Sequence, residues 1–180
     1  MACLITAGRA EQCKETIGGL KAVYFINYQI APSDVTFSGD LITAVTNVDN
    51  LFKYELKGND NVFDQEIVSS REAGTTFFRQ TLTIKLKKQD STTHKEVKLL
   101  AYGRPHVLVE NNAGQFFLMG LYRGADLTAG SINNGGALGD FNGYSLTFTA
   151  EEALPAPFTD VTSSSTIVSD CFTGATIVTA

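Results

Sequence analysis

Apolar and polar residues alternate along much of the chain. The longest such run is TTFFRQTLTIKLKK at 75–88, where Phe78, Leu82, Ile84 and Leu86 alternate with Arg79, Thr81, Thr83, Lys85 and Lys87. Successive strand side chains point to opposite faces, so this run predicts one long strand with a core face and a polar face. LFKYELKG sets Phe52, Tyr54 and Leu56 against Lys53, Glu55 and Lys57, and YSLTFTAE sets Tyr144, Leu146 and Phe148 against Ser145, Thr147 and Thr149. KAVYFINYQI is apolar in both phases and predicts a strand buried on both faces. LITAVTNV, NVFDQEIVSS, ADLTAGSI, and the pair HVLVE and QFFLMGLY around the turn NNAG add further extended segments.

One segment has helical spacing instead. In DSTTHKEVKLLAYGRP, Thr93 and Glu96 read as a capping box, and Val97, Leu100 and Ala101 fall on one stripe. Gly103 suits a left-handed position past the end, and Pro105 cannot continue the helix. The expectation is a helix at about 92–102 that packs across a sheet. Eight to ten strands with one flanking helix predict a mainly β fold, a sandwich or a barrel. Three parts are expected: an N-terminal arm over 1–20, the β domain over 21–152, and a C-terminal extension over 153–180. The extension opens with ALPAPF, is nearly uncharged thereafter, and carries the β-branched runs TIV and ATIV. It reads as an extended tail that reaches away from the core and adds a strand to something else.

Composition narrows the function. A length of 180 residues fits one domain, and a net charge of −5 opposes any grip on nucleic acid through phosphates. No apolar run is long enough to span a bilayer, so no membrane partner is expected. Cys3, Cys13 and Cys171 form no C-x-x-C and are expected as free thiols. The locally basic KLKKQDSTTHKEVK is interrupted by Asp90 and Glu96 and reads as a solvated strand end and helix face.

Candidate chemistry is sparse. NNGGALGDFNGY at 133–144 holds enough glycine to cradle a phosphate, but a phosphate loop enters a helix and this one enters a strand, with no G-K-[ST]. It is expected to be a long flexible connection between strands, where Gly supplies positive φ and Asn tolerates it. His94 and His106 stand twelve positions apart with no third ligand at a metal-like interval, and no G-x-S-x-G elbow occurs. No catalytic, cofactor-binding or metal-binding residue is expected, and no cofactor.

HKEVKLLAYGRPHVLVENNAGQFFLMGLYRGADLTAGSINNGGALGDFNGYSLTFTAEEALPA, together with the opening CKETIGGLKAVYFINY, resembles structural proteins of tailed bacteriophages. The resemblance covers most of 13–155 and is most specific at YGRPHV, FLMGL and G-D-x-x-G-Y-x-L-T-F-T. Within that group the chain looks most like a major tail tube protein. This implies a β-sandwich or barrel whose copies form rings, commonly of six, that stack into the conduit for DNA. The implied partners are identical subunits within and between rings and other tail proteins such as tape measure, terminator and baseplate. DNA would pass through without specific binding, and the place of action would be the virion tail, assembled in the host cytoplasm. A head–tail connector ring, a baseplate or capsid decoration protein, and a carbohydrate-binding β-sandwich module are the competing readings.

Overall fold

A computed structural model describes Ile5 and residues 7–179. The fold is mainly β, 44% strand and 11% helical, with twelve strands in two sheets and one main helix, and it is sandwich-like and not a closed barrel. The strands are β1 (Leu20–Ile26), β2 (Val35–Ser38), β3 (Leu41–Val45), β4 (Asn50–Glu55), β5 (Val62–Ser70) and β6 (Thr75–Lys87). The helix α1 (Ser91–Tyr102) follows, then β7 (His106–Asn111), β8 (Phe116–Met119), β9 (Asp126–Asn133) and β10 (Gly143–Glu152). The chain closes with β11 (Phe158–Thr159), the short helix α2 (Ile167–Asp170) and β12 (Thr176–Val178).

The eight-stranded sheet runs β12-β4-β1-β7-β8-β11-β3-β2, and the four-stranded sheet runs β5-β6-β10-β9. Between them lies one core, where Val23, Phe25 and Val107 of the large sheet meet Leu82, Ile84 and Phe148 of the small one. The other face of the large sheet carries a second core, with Tyr24, Ile26 and Leu108 packed under Val161, Ile167 and Phe172. The double-sided apolar pattern of β1 follows from this arrangement, because the strand sits in the middle layer of three.

The third layer corrects the expectation for the C-terminus. Residues 158–178 do not reach away from the core but fold back over it. β11 pairs in parallel with β3 and β12 in parallel with β4, so ATIV completes this chain's own large sheet. Ile167, Cys171 and Phe172 are each 0% exposed. Burying them removes apolar surface from water on both sides of the contact, which an extended tail would forgo.

α1 starts a turn earlier than its expected cap. Asp90, not Thr93, is the N-cap: its carboxylate accepts from the Thr93 amide at 2.8 Å and from the Thr93 hydroxyl at 2.6 Å. An ionised oxygen is the stronger acceptor, so it takes the cap from the hydroxyl. Val97 is buried and Leu100 partly so, but Ala101 is exposed. Gly103 has φ −90° and ψ 174°, an extended conformation and not the left-handed one expected, because the chain runs straight on toward β7 without reversing. Residues 7–18 carry no helix or strand and are exposed throughout.

Candidate functional site

Two edges of the small sheet stand open. β5 and β9 are its outermost strands, nine and eight residues long, and neither has a partner on its far side among the described residues. Ladder register puts Ile67 opposite Phe78 and Ile132 opposite Tyr144, which are core-side positions. Ile67 is nevertheless 68% exposed and Ile132 48% exposed. Each edge therefore points an apolar side chain to the core side at a place where this chain supplies no core. An unpaired row of backbone donors and acceptors beside exposed apolar groups is a template for another strand.

The opposite face of the same sheet is polar and cross-linked. Thr83 and Thr147 hydroxyls lie 3.4 Å apart, and those of Thr128 and Thr149 lie 2.9 Å apart. Arg79 reaches Glu66 on one side and Glu151 on the other, each at 3.1 Å, tying β5, β6 and β10 together. The bond to Glu151 and both nearby carboxylates hold the guanidinium above its usual range.

The glycine-rich connection between β9 and β10 is an ordered turn and not the flexible connection expected, because Asp140 ties its backbone. Asp140 accepts from the Gly136 amide at 2.8 Å and the Ala137 amide at 2.7 Å, and these two bonds lower its carboxyl below the usual range. At Gly143 a Cβ would meet the Leu86 carbonyl oxygen at 2.1 Å, so β10 can lie against β6 there only without a side chain. Leu138 projects fully into solvent from the turn. The connection leads into a strand, as its sequence context requires.

Two of the segments most specific to the resemblance, YGRPHV and FLMGL, are brought together around residues 120–125. His106, of YGRPHV, is 0% exposed, with Nδ1 2.7 Å from the Gly120 carbonyl oxygen of FLMGL. The Ile30 amide donates to its Nε2 at 3.4 Å, which makes Nδ1 the protonated nitrogen. Burial pushes the imidazole below its usual range, while the bond to Gly120 opposes that shift. Gln80 accepts from the Gly120 amide at 3.0 Å, and Glu152 Oε1 accepts from the amides of Tyr122 at 2.9 Å and Arg123 at 2.7 Å. A Cβ at Gly124, where φ is +72°, would meet the Arg104 carbonyl oxygen at 2.5 Å. Three buried polar side chains thus hold one tight turn, and their role is to fix backbone.

Gln80 and Glu152 were not singled out from sequence, though a signal existed. Gln80 falls in phase with Phe78 and Leu82, and Glu152 in phase with Tyr144, Leu146 and Phe148. A polar residue on an apolar face is a buried hydrogen-bonding group in waiting. A third is Glu110, 1% exposed in the middle layer, which takes Tyr24 at 2.9 Å and Lys21 at 2.5 Å. Burial, with the Glu110 carboxylate second, raises the Tyr24 phenol above its usual range.

His94 lies exposed on α1 whereas His106 is buried, and no group of three metal-ligating side chains occurs among the described residues. Cys13 is a free exposed thiol and Cys171 a free buried one, whereas Cys3 lies outside the described residues. No helix among the described residues is long and apolar enough to cross a membrane. Compared with known proteins, the chain matches no family model, no curated protein and no solved structure.

Proposed function

We propose that the chain is a tail tube subunit of a tailed bacteriophage, which joins identical copies into rings that stack as a conduit for DNA. The observation that carries the reading is the pair of open edges on one sheet, each with a core-side isoleucine left exposed. β5 of one copy set beside β9 of the next would satisfy both rows of backbone groups and cover Ile67 and Ile132. Closure of the ring then leaves no edge in the small sheet.

Two further features support it. The polar face of the small sheet carries the threonines of β6 and β10, a hydrogen-bonding stripe between the Arg79–Glu66–Glu151 cluster and Lys85 and Lys87, suited to line a passage. The net charge of −5 per copy amounts to about thirty negative charges in a ring of six, which repels phosphate and lets DNA slide. Tape measure, terminator and baseplate proteins are the partners this reading assigns.

Negative-stain electron microscopy of the purified chain, with its mass in solution across a concentration series, tests the proposal. Rings or hollow tubes and masses in multiples of one ring are expected. A monomer at every concentration, or virions that carry this chain only on the capsid exterior, would remove it. A copy number near one ring per virion would assign the chain to a connector instead.

A further inference from the structure

At one end of the sandwich the two sheets part, leaving a cavity of about 840 Å³ between β4, the end of β6, the start of α1 and the tip of β12. Its wall includes Phe52, Tyr54 and Leu86, side chains that belong to the packing between the sheets but are only partly covered there. Around this apolar wall stand Lys53, Lys57, Lys85, Lys87 and Lys88. Those five are more than a third of the 14 basic residues in an otherwise acidic chain.

Three carboxylates, Glu55, Asp90 and Glu96, share the lining and leave the five lysines in excess. Lys53 pairs with Glu55 and Lys85 with Asp60, but Lys57, Lys87 and Lys88 form no ion pair among the described residues. Asp90 caps α1 and keeps its negative charge beside Lys88. Lys88 also holds a left-handed φ of 66°, which a lysine rarely adopts, in the turn between β6 and α1. Like charges gathered in this way repel each other, and a negative group placed among them relieves that repulsion.

We propose that this cavity docks an extended acidic peptide segment of a different protein. One apolar side chain would lie on Phe52, Tyr54 and Leu86, and alternate carboxylates would meet Lys57, Lys87 and Lys88. β12 adds a second means of recognition. It is the last strand of the large sheet, and Val178 and Thr179 border the cavity, so a peptide lying there has backbone donors and acceptors to pair with. The exposed arm of a second copy is a poor occupant, since it sets Glu11 and Glu15 against Arg9 and Lys14. A long phosphodiester would feel the whole negative field of the protein and not the local lysines alone. The inference does not depend on the tail tube reading.

The test is fluorescence anisotropy of the unassembled chain with a labelled peptide of about eight alternating Glu and Leu residues, the length an extended strand needs to cross the site. Saturable binding that weakens with salt is expected. Combined Lys57→Glu, Lys87→Glu and Lys88→Glu replacement is expected to weaken it roughly tenfold or more, since all three side chains are exposed and their removal leaves the fold intact. Val178→Asp, at a residue 39% exposed, is expected to weaken it as well. The proposal is overturned if the peptide does not bind, if the triple variant binds it as well as the unaltered chain, or if a Gln–Leu peptide binds equally. Tighter binding of an oligothymidylate of equal charge would overturn it too, and assign the cavity to nucleic acid.

Discussion

Blocking one edge of the small sheet should abolish ring formation without unfolding the subunit. Along β9 alternate residues direct their N–H groups toward β10 and toward the open side. Proline removes the N–H and adds a ring, so Ser131→Pro and Ile132→Pro differ in outcome although they are neighbours. One breaks the pairing with β10 and lowers the Tm; the other obstructs only the open side. Both side chains are exposed, so packing does not confuse the comparison. The eight residues of β9 set against β5 of a neighbour would form about eight hydrogen bonds, each with a net worth of roughly 0.5–1.5 kcal/mol. The gross pairing energy is therefore about 4–12 kcal/mol per contact. Interrupting the strand near its end forfeits about a third to a half of that, about 1.3–6 kcal/mol, or roughly 10- to 25,000-fold in the affinity between neighbours. Thermal unfolding identifies the variant that leaves the subunit intact, and sedimentation velocity then reads its assembly. If that variant forms rings at the same concentration as the unaltered chain, the open edge is not the interface and the proposed function loses its main support.

Four other outcomes follow from the geometry. His106→Ala strips two bonds and leaves the Gly120 carbonyl buried without a donor, so a loss of about 2–5 kcal/mol in urea unfolding is expected. The imidazole is held below its usual range in the folded state, so the unfolded chain binds the extra proton first. Its contribution is complete above pH about 6.5 and is lost as the pH falls toward the folded value, by at most about 1.4 kcal/mol per pH unit; the difference between unaltered and His106→Ala stability curves should show that slope, and a flat difference would refute it. Gly124→Ala, with a Cβ at 2.5 Å from a carbonyl oxygen, should cost more than about 2 kcal/mol, whereas Gly114→Ala, with nothing within 4 Å, should cost about 1 kcal/mol. Burial pushes the Cys171 thiol up to about 12, so iodoacetamide at pH 8 should leave it unlabelled in the folded chain while Cys13 reacts, as peptide mass mapping would show.

The elements that sequence revealed are those whose pattern is local and long. β6 shows its two faces over thirteen residues, and β10 over ten, so alternation alone places them. The same logic put β1 in the interior, because both of its phases are apolar. β2, β11 and β12 were missed as elements of this fold, and they are four, two and three residues long. Too short to show a period, they exist because a distant strand offers a free ladder, which no local window records. ATIV was noticed as β-prone, but its partner β4 lies more than a hundred positions away. The candidate site divides in the same manner. Alternation predicted the strands of the small sheet, but which of them lie at the edge depends on sheet order. The clamp on residues 120–125 draws on β6, β7 and β10, and only its out-of-phase Gln80 and Glu152 leave a trace in the sequence.

The cover laid over the large sheet by residues 158–178 has a consequence for biosynthesis. The face bearing Tyr24, Ile26 and Leu108 is made before the residues that shield it. While translation proceeds, that apolar face has nothing of its own to hide under, and the parallel pairing of β12 with β4 closes a loop spanning most of the chain. Such distant pairing is slow to form, on the order of milliseconds to seconds in sheet proteins. Nascent chains should accordingly be chaperone clients until β12 has emerged, and a subunit truncated after β10 should be recovered from inclusion bodies.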